Sequence, residues 1–120
     1  MLTQDQEMIR GAVREFCESE LRPIAARIDE EERIPPELLK KMAELGFLGI
    51  PYPEEWGGAG LDTFSQALAI EEIARVCGST ALTVAAHASL GTYPIFKYGT
   101  PAQKDRYLRG LVSGEHLGAF

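Results

Sequence analysis

The chain has 120 residues, 45% hydrophobic and 25% charged, the composition of one globular domain with a single core. Its charge of -6 is uneven, with 16 acids against 8 bases in residues 1–78 (-8) and 2 against 4 in residues 79–120 (+2), so no basic face is offered to nucleic acid. Two widely separated cysteines, Cys17 and Cys77, exclude a disulfide scaffold and point to a reducing, cytoplasmic setting.

The opening MLTQDQEMIR is charged, unlike a secretory signal, and the longest apolar run is broken by Ser79, His87 and Ser89, well short of a membrane span. A soluble protein is expected. Thr3 and Gln6 stand at capping-box spacing, and Ile9, Val13, Phe16, Cys17, Ile24 and Ile28 follow at steps of three and four, which predicts a long first helix with one apolar face. Pro23 should bend or split it near Leu21, because proline has no amide hydrogen and clashes with the preceding turn. The acidic run Asp29 to Glu32 reads as a solvated end.

Pro35 and Pro36 start a second helix with Leu38, Leu39, Met42 and Leu45 on its buried side, and Gly46 stops it. Residues 47–60, FLGIPYPEEWGGAG, have neither helical nor alternating period and predict an ordered, turn-rich connection anchored by Tyr52 and Trp56. A phosphate cradle is disfavoured there, since Glu54 and Glu55 precede the glycines and no Lys-Ser or Lys-Thr follows; glycines for tight packing or positive backbone dihedrals explain the run.

Asp62 or Thr63 caps a third helix, with Phe64, Leu68, Ile70, Ile73, Ala74 and Cys77 on its apolar face and Glu71, Glu72 and Arg75 left for the surface. Gly78 should end it and Ser79 cap the next helix, making the two immediate neighbours. That fourth helix is alanine-rich and apolar all round, through Ala81, Leu82, Val84, Ala85, Ala86, Ala88 and Leu90, the pattern of a buried central rod with little side-chain volume of its own. Gly91 and Pro94 predict a kink or widened turn near Leu90, and Gly99 terminates the helix. Thr100, Pro101 and Gln103 open the last helix, Tyr107, Leu108, Leu111 and Val112 form its inner face, and Lys104, Arg106 and Arg109 lie outward. GEHLGAF reads as chain leaving the bundle, and an ending on Ala119-Phe120 is expected of a cut inside a longer polypeptide.

Chemistry is sparse. His87 and His116 have no partners at metal-ligand spacing, Glu71 and Glu72 point about 100° apart on a helix, and no Glu-x-x-His of a di-iron bundle occurs. Ser79 and Ser89 lack a neighbouring His-acid set in sequence. His87, set among alanines, is either a satisfied core histidine or the lining of a ligand cavity, and Thr83 can simply give its hydroxyl to the carbonyl four residues back.

Taken together, Pro53-Glu54-Glu55-Trp56-Gly57-Gly58-Ala59-Gly60, Ile70-Glu71-Glu72-Ile73-Ala74, Ser89-Leu90-Gly91 with Pro94-Ile95, Gly99-Thr100-Pro101-Ala102-Gln103-Lys104 with Tyr107-Leu108, and Gly114-Glu115 with Gly118-Ala119-Phe120 resemble, in order, the N-terminal helical domain of the acyl-CoA dehydrogenases. Ala-His-Ala-Ser-Leu-Gly is most similar to short-chain and bacterial members. The resemblance implies an all-α, orthogonal or up-down bundle of about five to six helices over residues 1–120, the first domain of a three-domain, usually tetrameric flavoenzyme. Such an enzyme takes two hydrogens from an acyl-CoA thioester with FAD as cofactor and electron-transfer flavoprotein as partner. The base and most flavin contacts belong to the other domains, so no catalytic residue is assigned here. Thr83, Ala86, His87 and Leu90 fall where the family's central helix faces the acyl chain, and the bulk of His87 would shorten the slot. An acyl-CoA oxidase or flavin monooxygenase built on the same domain, and a free-standing helical interaction module, are the alternatives.

Overall fold

Thr3 begins the first helix by accepting from the Gln6 amide at 3.2 Å while its own amide donates to the Gln6 side-chain oxygen at 3.0 Å, so two first-turn donors are satisfied reciprocally. The structure is a computed structural model that describes all residues, Met1–Phe120. Helix α1 runs over residues 4–31 as α-helical Gln4–Phe16, π-helical Cys17–Leu21, 3-10 Arg22–Ile24 and α-helical Ala25–Glu31. Pro23 therefore does not split the rod. Its missing donor is absorbed by one wide and one tight turn, and Glu32, at a φ of 52°, closes the helix.

Helix α2, Pro36–Glu44, has Pro36 in its first turn and buries Leu38 and Met42, whereas Leu45, expected on the same side, is the C-cap beyond the last turn and is exposed. Gly46 leaves it at a φ of 81°. The connection 47–60 is ordered, with a single 3-10 turn at Glu54–Trp56. Tyr52 is buried, gives its hydroxyl hydrogen to the Ala88 carbonyl and meets the Phe96 ring edge-on at 5.3 Å, whereas Trp56 is half-buried beneath the Arg109 guanidinium, 5.5 Å away. Gly58 is required by packing, since a Cβ there would lie 2.0 Å from the Tyr52 carbonyl oxygen.

Asp62 caps helix α3, Thr63–Ala74, by accepting from the Ser65 amide at 2.7 Å. The buried positions are Ser65, Ala69, Glu72 and Ile73, so three expectations need correcting: Glu72 lies inside, while Phe64 and Ala74 lie outside. The physical reason is α1, which packs along α3 and brings Arg10 and Arg14 to the Glu72 carboxylate. A hydrophobic count on one helix cannot register a charge supplied by its neighbour.

Helix α4 covers residues 78–98 as α-helical Gly78–Ala86, π-helical His87–Thr92 and α-helical Tyr93–Tyr98. Cys77, not Ser79, is its N-cap, and Gly78 is its first residue rather than the end of α3. Nor is α4 buried all round: Thr80, Ala81, Val84, His87, Ala88 and Thr92 face the core, while Leu82 and Leu90 are exposed. Helix α5 covers residues 101–113 as Pro101–Gln103, a π turn Lys104–Leu108 and Arg109–Ser113, opened by the Thr100/Gln103 capping box. Leu108, Leu111 and Val112 are buried, but Tyr107, expected inside, is exposed.

The main core lies between α1, α2, α3 and the first half of α4, and a smaller cluster of Tyr52, Ala88, Leu108 and Val112 sits under the connection 47–60. The all-helical bundle of five rods agrees with the expected fold. No helix is long and apolar enough to cross a membrane.

Candidate functional site

The chemistry-bearing stretch is the second half of α4. Pro94 has no amide to donate, so the regular ladder is interrupted in this region, and Gly91 lacks a side chain where Gly118 crosses close by. The widened turn His87–Thr92 results, and hydroxyl groups take up carbonyls along it. Ser89 Oγ donates to Ala85 O at 2.6 Å, Thr92 Oγ1 to His87 O at 2.8 Å, and the Tyr52 hydroxyl to Ala88 O. Two of these three donors lie within the turn itself, a signal the sequence carries but that hydrophobic periodicity does not read.

Thr83, Ala86 and Leu90, at steps of three and four, share the open side of α4; Thr83 and Ala86 are half-buried and Leu90 is 51% exposed. The Thr83 hydroxyl returns to Ser79 O at 2.9 Å, as its position allowed. Thr83 borders a hollow of about 520 Å³ lined by Ile28, Ile34, Leu39 and Leu117 and also by Asp29, Glu32, Arg33 and Ser79, and a second hollow of about 500 Å³ shares Leu39 and Leu117 and reaches Ala43 and Leu48; Ala86 and Leu90 line neither.

His87 is not brought to this stripe. Its ring is fully buried and turned inward, with Nε2 2.9 Å from the Leu111 carbonyl oxygen and Nδ1 2.8 Å from the Gly118 amide. A carbonyl can only accept and an amide N–H can only donate, so the ring is the Nε2–H tautomer. Burial pushes its pKa below the ordinary histidine value, which keeps it neutral. Of the two readings left open by its surroundings, the satisfied core histidine describes the geometry.

Other titratable groups serve structure. The Glu72 carboxylate, 2% exposed, accepts from Arg14 at 2.7 and 2.9 Å, from Arg75 at 2.9 Å and from Arg10 at 3.4 Å. The Arg14 guanidinium foremost, with Arg75, holds it down to about 2. Burial pushes the Cys17 thiol up to about 11, which removes it as a nucleophile. In the glycine-rich turn the amides of Gly57, Gly58, Ala59, Gly60 and Leu61 donate to Glu54, Pro53, Gly49, Tyr52 and Ile50, leaving none free to cradle a phosphate.

This arrangement offers an apolar surface along α4 and brings no paired acid and base to it. Residues 3–115 match the family model for the N-terminal domain of acyl-CoA dehydrogenase. The chain is 50% identical over 119 residues to a short-chain specific acyl-CoA dehydrogenase of Clostridium acetobutylicum, an alignment covering 99% of this chain and 31% of that protein. The solved butyryl-CoA dehydrogenase of Megasphaera elsdenii superposes with a TM-score of 0.92 at 34% identity, over 98% of this chain and 31% of that one. An acyl-CoA dehydrogenase complexed with FAD from Bacillus anthracis gives 0.87 at 35% identity, over 98% and 20%. The chain thus spans under a third of the length of these relatives, and within that span it belongs to the acyl-CoA dehydrogenase family as its N-terminal helical domain.

Proposed function

We propose that this chain is the acyl-wall domain of an FAD-dependent acyl-CoA dehydrogenase, which desaturates short acyl-CoA thioesters between the α and β carbons. The carrying observation is the half-exposed side of α4: Thr83, Ala86 and Leu90 form an apolar, hydroxyl-satisfied stripe on a domain that matches short-chain relatives along its whole length. Removal of an α-proton is easier in a dry site, where stabilisation of the developing charge is not diluted by water. The stripe supplies such a wall, and His87 backs it, its ring filling the space beneath.

The residues present do not make a flavin site on their own, because the one glycine-rich turn has its amides bonded internally. FAD is therefore proposed to lie against further domains of a three-domain polypeptide, as is the carboxylate base. Electron-transfer flavoprotein as acceptor, a homotetrameric assembly and a cytoplasmic location complete the proposal. The test is to add butyryl-, hexanoyl- and octanoyl-CoA to the full-length polypeptide and follow bleaching of its flavin. Bleaching by butyryl-CoA is expected, and none with any thioester would refute the reading. In Ala86→Phe, extra volume on the wall should lower kcat/KM for octanoyl-CoA at least tenfold more than for butyryl-CoA. Reoxidation by oxygen rather than by electron-transfer flavoprotein would favour the oxidase or monooxygenase reading.

A further inference from the structure

The two nitrogens of His87 reach two different pieces of chain, Leu111 in α5 and Gly118 in the segment that leaves it. That segment has few other ties. His116 N–H donates to Gly110 O at 3.1 Å and Glu115 N–H to Ser113 Oγ at 3.3 Å; beyond His116, the Gly118–His87 bond is the only hydrogen bond. At the same place the segment crosses α4 backbone to backbone. A Cβ on Gly91 would stand 2.6 Å from Gly118 Cα, and one on Gly118 would stand 2.9 Å from Gly91 Cα, so no side chain separates the two strands of chain.

We propose that His87 is a positioning residue: by engaging Leu111 and Gly118 together, its ring sets the spacing between the outward stripe of α4 and chain segment 114–120. The inference rests on the proposed function only in taking that stripe as the acyl wall. His87 is one residue from Ala86 and opens the π turn that carries Leu90, and its own carbonyl is pinned by Thr92 Oγ1 at 2.8 Å. A shift of the ring is therefore passed to Ala86 on one side and to the Gly91–Gly118 crossing on the other. Ring volume alone would not do this; two directed hydrogen bonds between separate elements do.

The experiment compares His87→Leu, which keeps most of the volume and loses both bonds, with His87→Gln, whose amide can restore one, in the full-length polypeptide. Hydrogen exchange of residues 117–119 and kcat and KM for butyryl- and octanoyl-CoA are the readouts. A lost hydrogen bond of about 1.4 kcal/mol is a tenfold change in an opening equilibrium, so exchange in His87→Leu should be about tenfold faster. Its kcat should fall by a similar factor on both thioesters, with KM changed less, and His87→Gln should recover part of each. Exchange unchanged in His87→Leu overturns the proposal whatever happens to kcat, and so does faster exchange with a wild-type kcat, the mark of a purely structural tie. Should the wild type oxidise no acyl-CoA, the functional reading fails while the exchange comparison still decides the tie. If His87→Leu does not fold, Gly91→Ala, which forces the crossing apart with the ring intact, is expected to give the same accelerated exchange, and unchanged exchange there overturns the proposal.

Discussion

Replacing Glu72 by glutamine removes the one negative charge on which three guanidinium groups converge and puts amide hydrogens where Arg14 and Arg75 donate. The carboxyl is held down to about 2 from an ordinary 4.5. At 1.36 kcal/mol per pH unit, this corresponds to about 3 kcal/mol in favour of the folded state at neutral pH. The arginine side chains are 37–45% exposed, so water shares them and about 2 kcal/mol is the better expectation. Because the folded pKa lies below the unfolded one, the contribution is present above pH 4.5 and drains away as pH falls toward 2. Urea unfolding followed by circular dichroism at pH 7 and pH 2.5, on wild type and Glu72→Gln, measures it, and comparing the two proteins cancels the other carboxylates. The variant should be less stable by about 2 kcal/mol at pH 7 and by roughly half that or less at pH 2.5. An equal gap at both pH values, or none at pH 7, would show that the cluster is not held by charge.

Three other substitutions probe separate parts of the argument. Tyr52→Phe strands the Ala88 carbonyl in the smaller core and should cost about 1–2 kcal/mol in the same unfolding assay, with little change in the circular dichroism spectrum. Thr100→Ala removes the hydroxyl that accepts from Gln103 and should cost about 1 kcal/mol, visible as a melting-temperature drop of a few degrees. Gly58→Ala drives a methyl group into the Tyr52 carbonyl and should cost about 3 kcal/mol, more than the same change at Gly11, where nothing lies within 4 Å.

What was legible from the chain alone was local. Thr3 with Gln6, Pro36, Asp62, Gly46 and Thr100 with Gln103 each act within four residues, and each stands at the boundary its chemistry indicates. Disruption near Leu21 and Leu90 was legible because Pro23 and Pro94 mark it, with a widened turn among the forms expected at Leu90, whereas the π turn at Lys104–Leu108 has no proline within it. Glu72, Phe64, Ala74, Leu45 and Tyr107 were misplaced for another reason: their burial depends on which neighbour arrives, and that is a property of the assembled bundle. The candidate site was readable to the same degree. Thr83, Ala86 and Leu90 share a face by spacing, but that His87 turns inward depends on Leu111 and Gly118, 24 and 31 residues away.

The dislocated turn in α4 also has a consequence for how this rod tolerates changes in length. A π turn holds one residue more than the α-helix it interrupts, so deleting one position between Ala88 and Gly91 would let the ladder heal with little loss of helical bonding. Because the wide turn already absorbs that extra residue, the healed rod would keep Tyr93–Tyr98 near its present phase against Gly78–Ala86 and Phe96 on Tyr52, whereas the same deletion within Gly78–Ala86 would turn the rest of the rod by about 100°. The wide turn is thus the place where this rod can change length by one residue without changing phase, so the bundle tolerates a deletion there better than in the regular turns on either side.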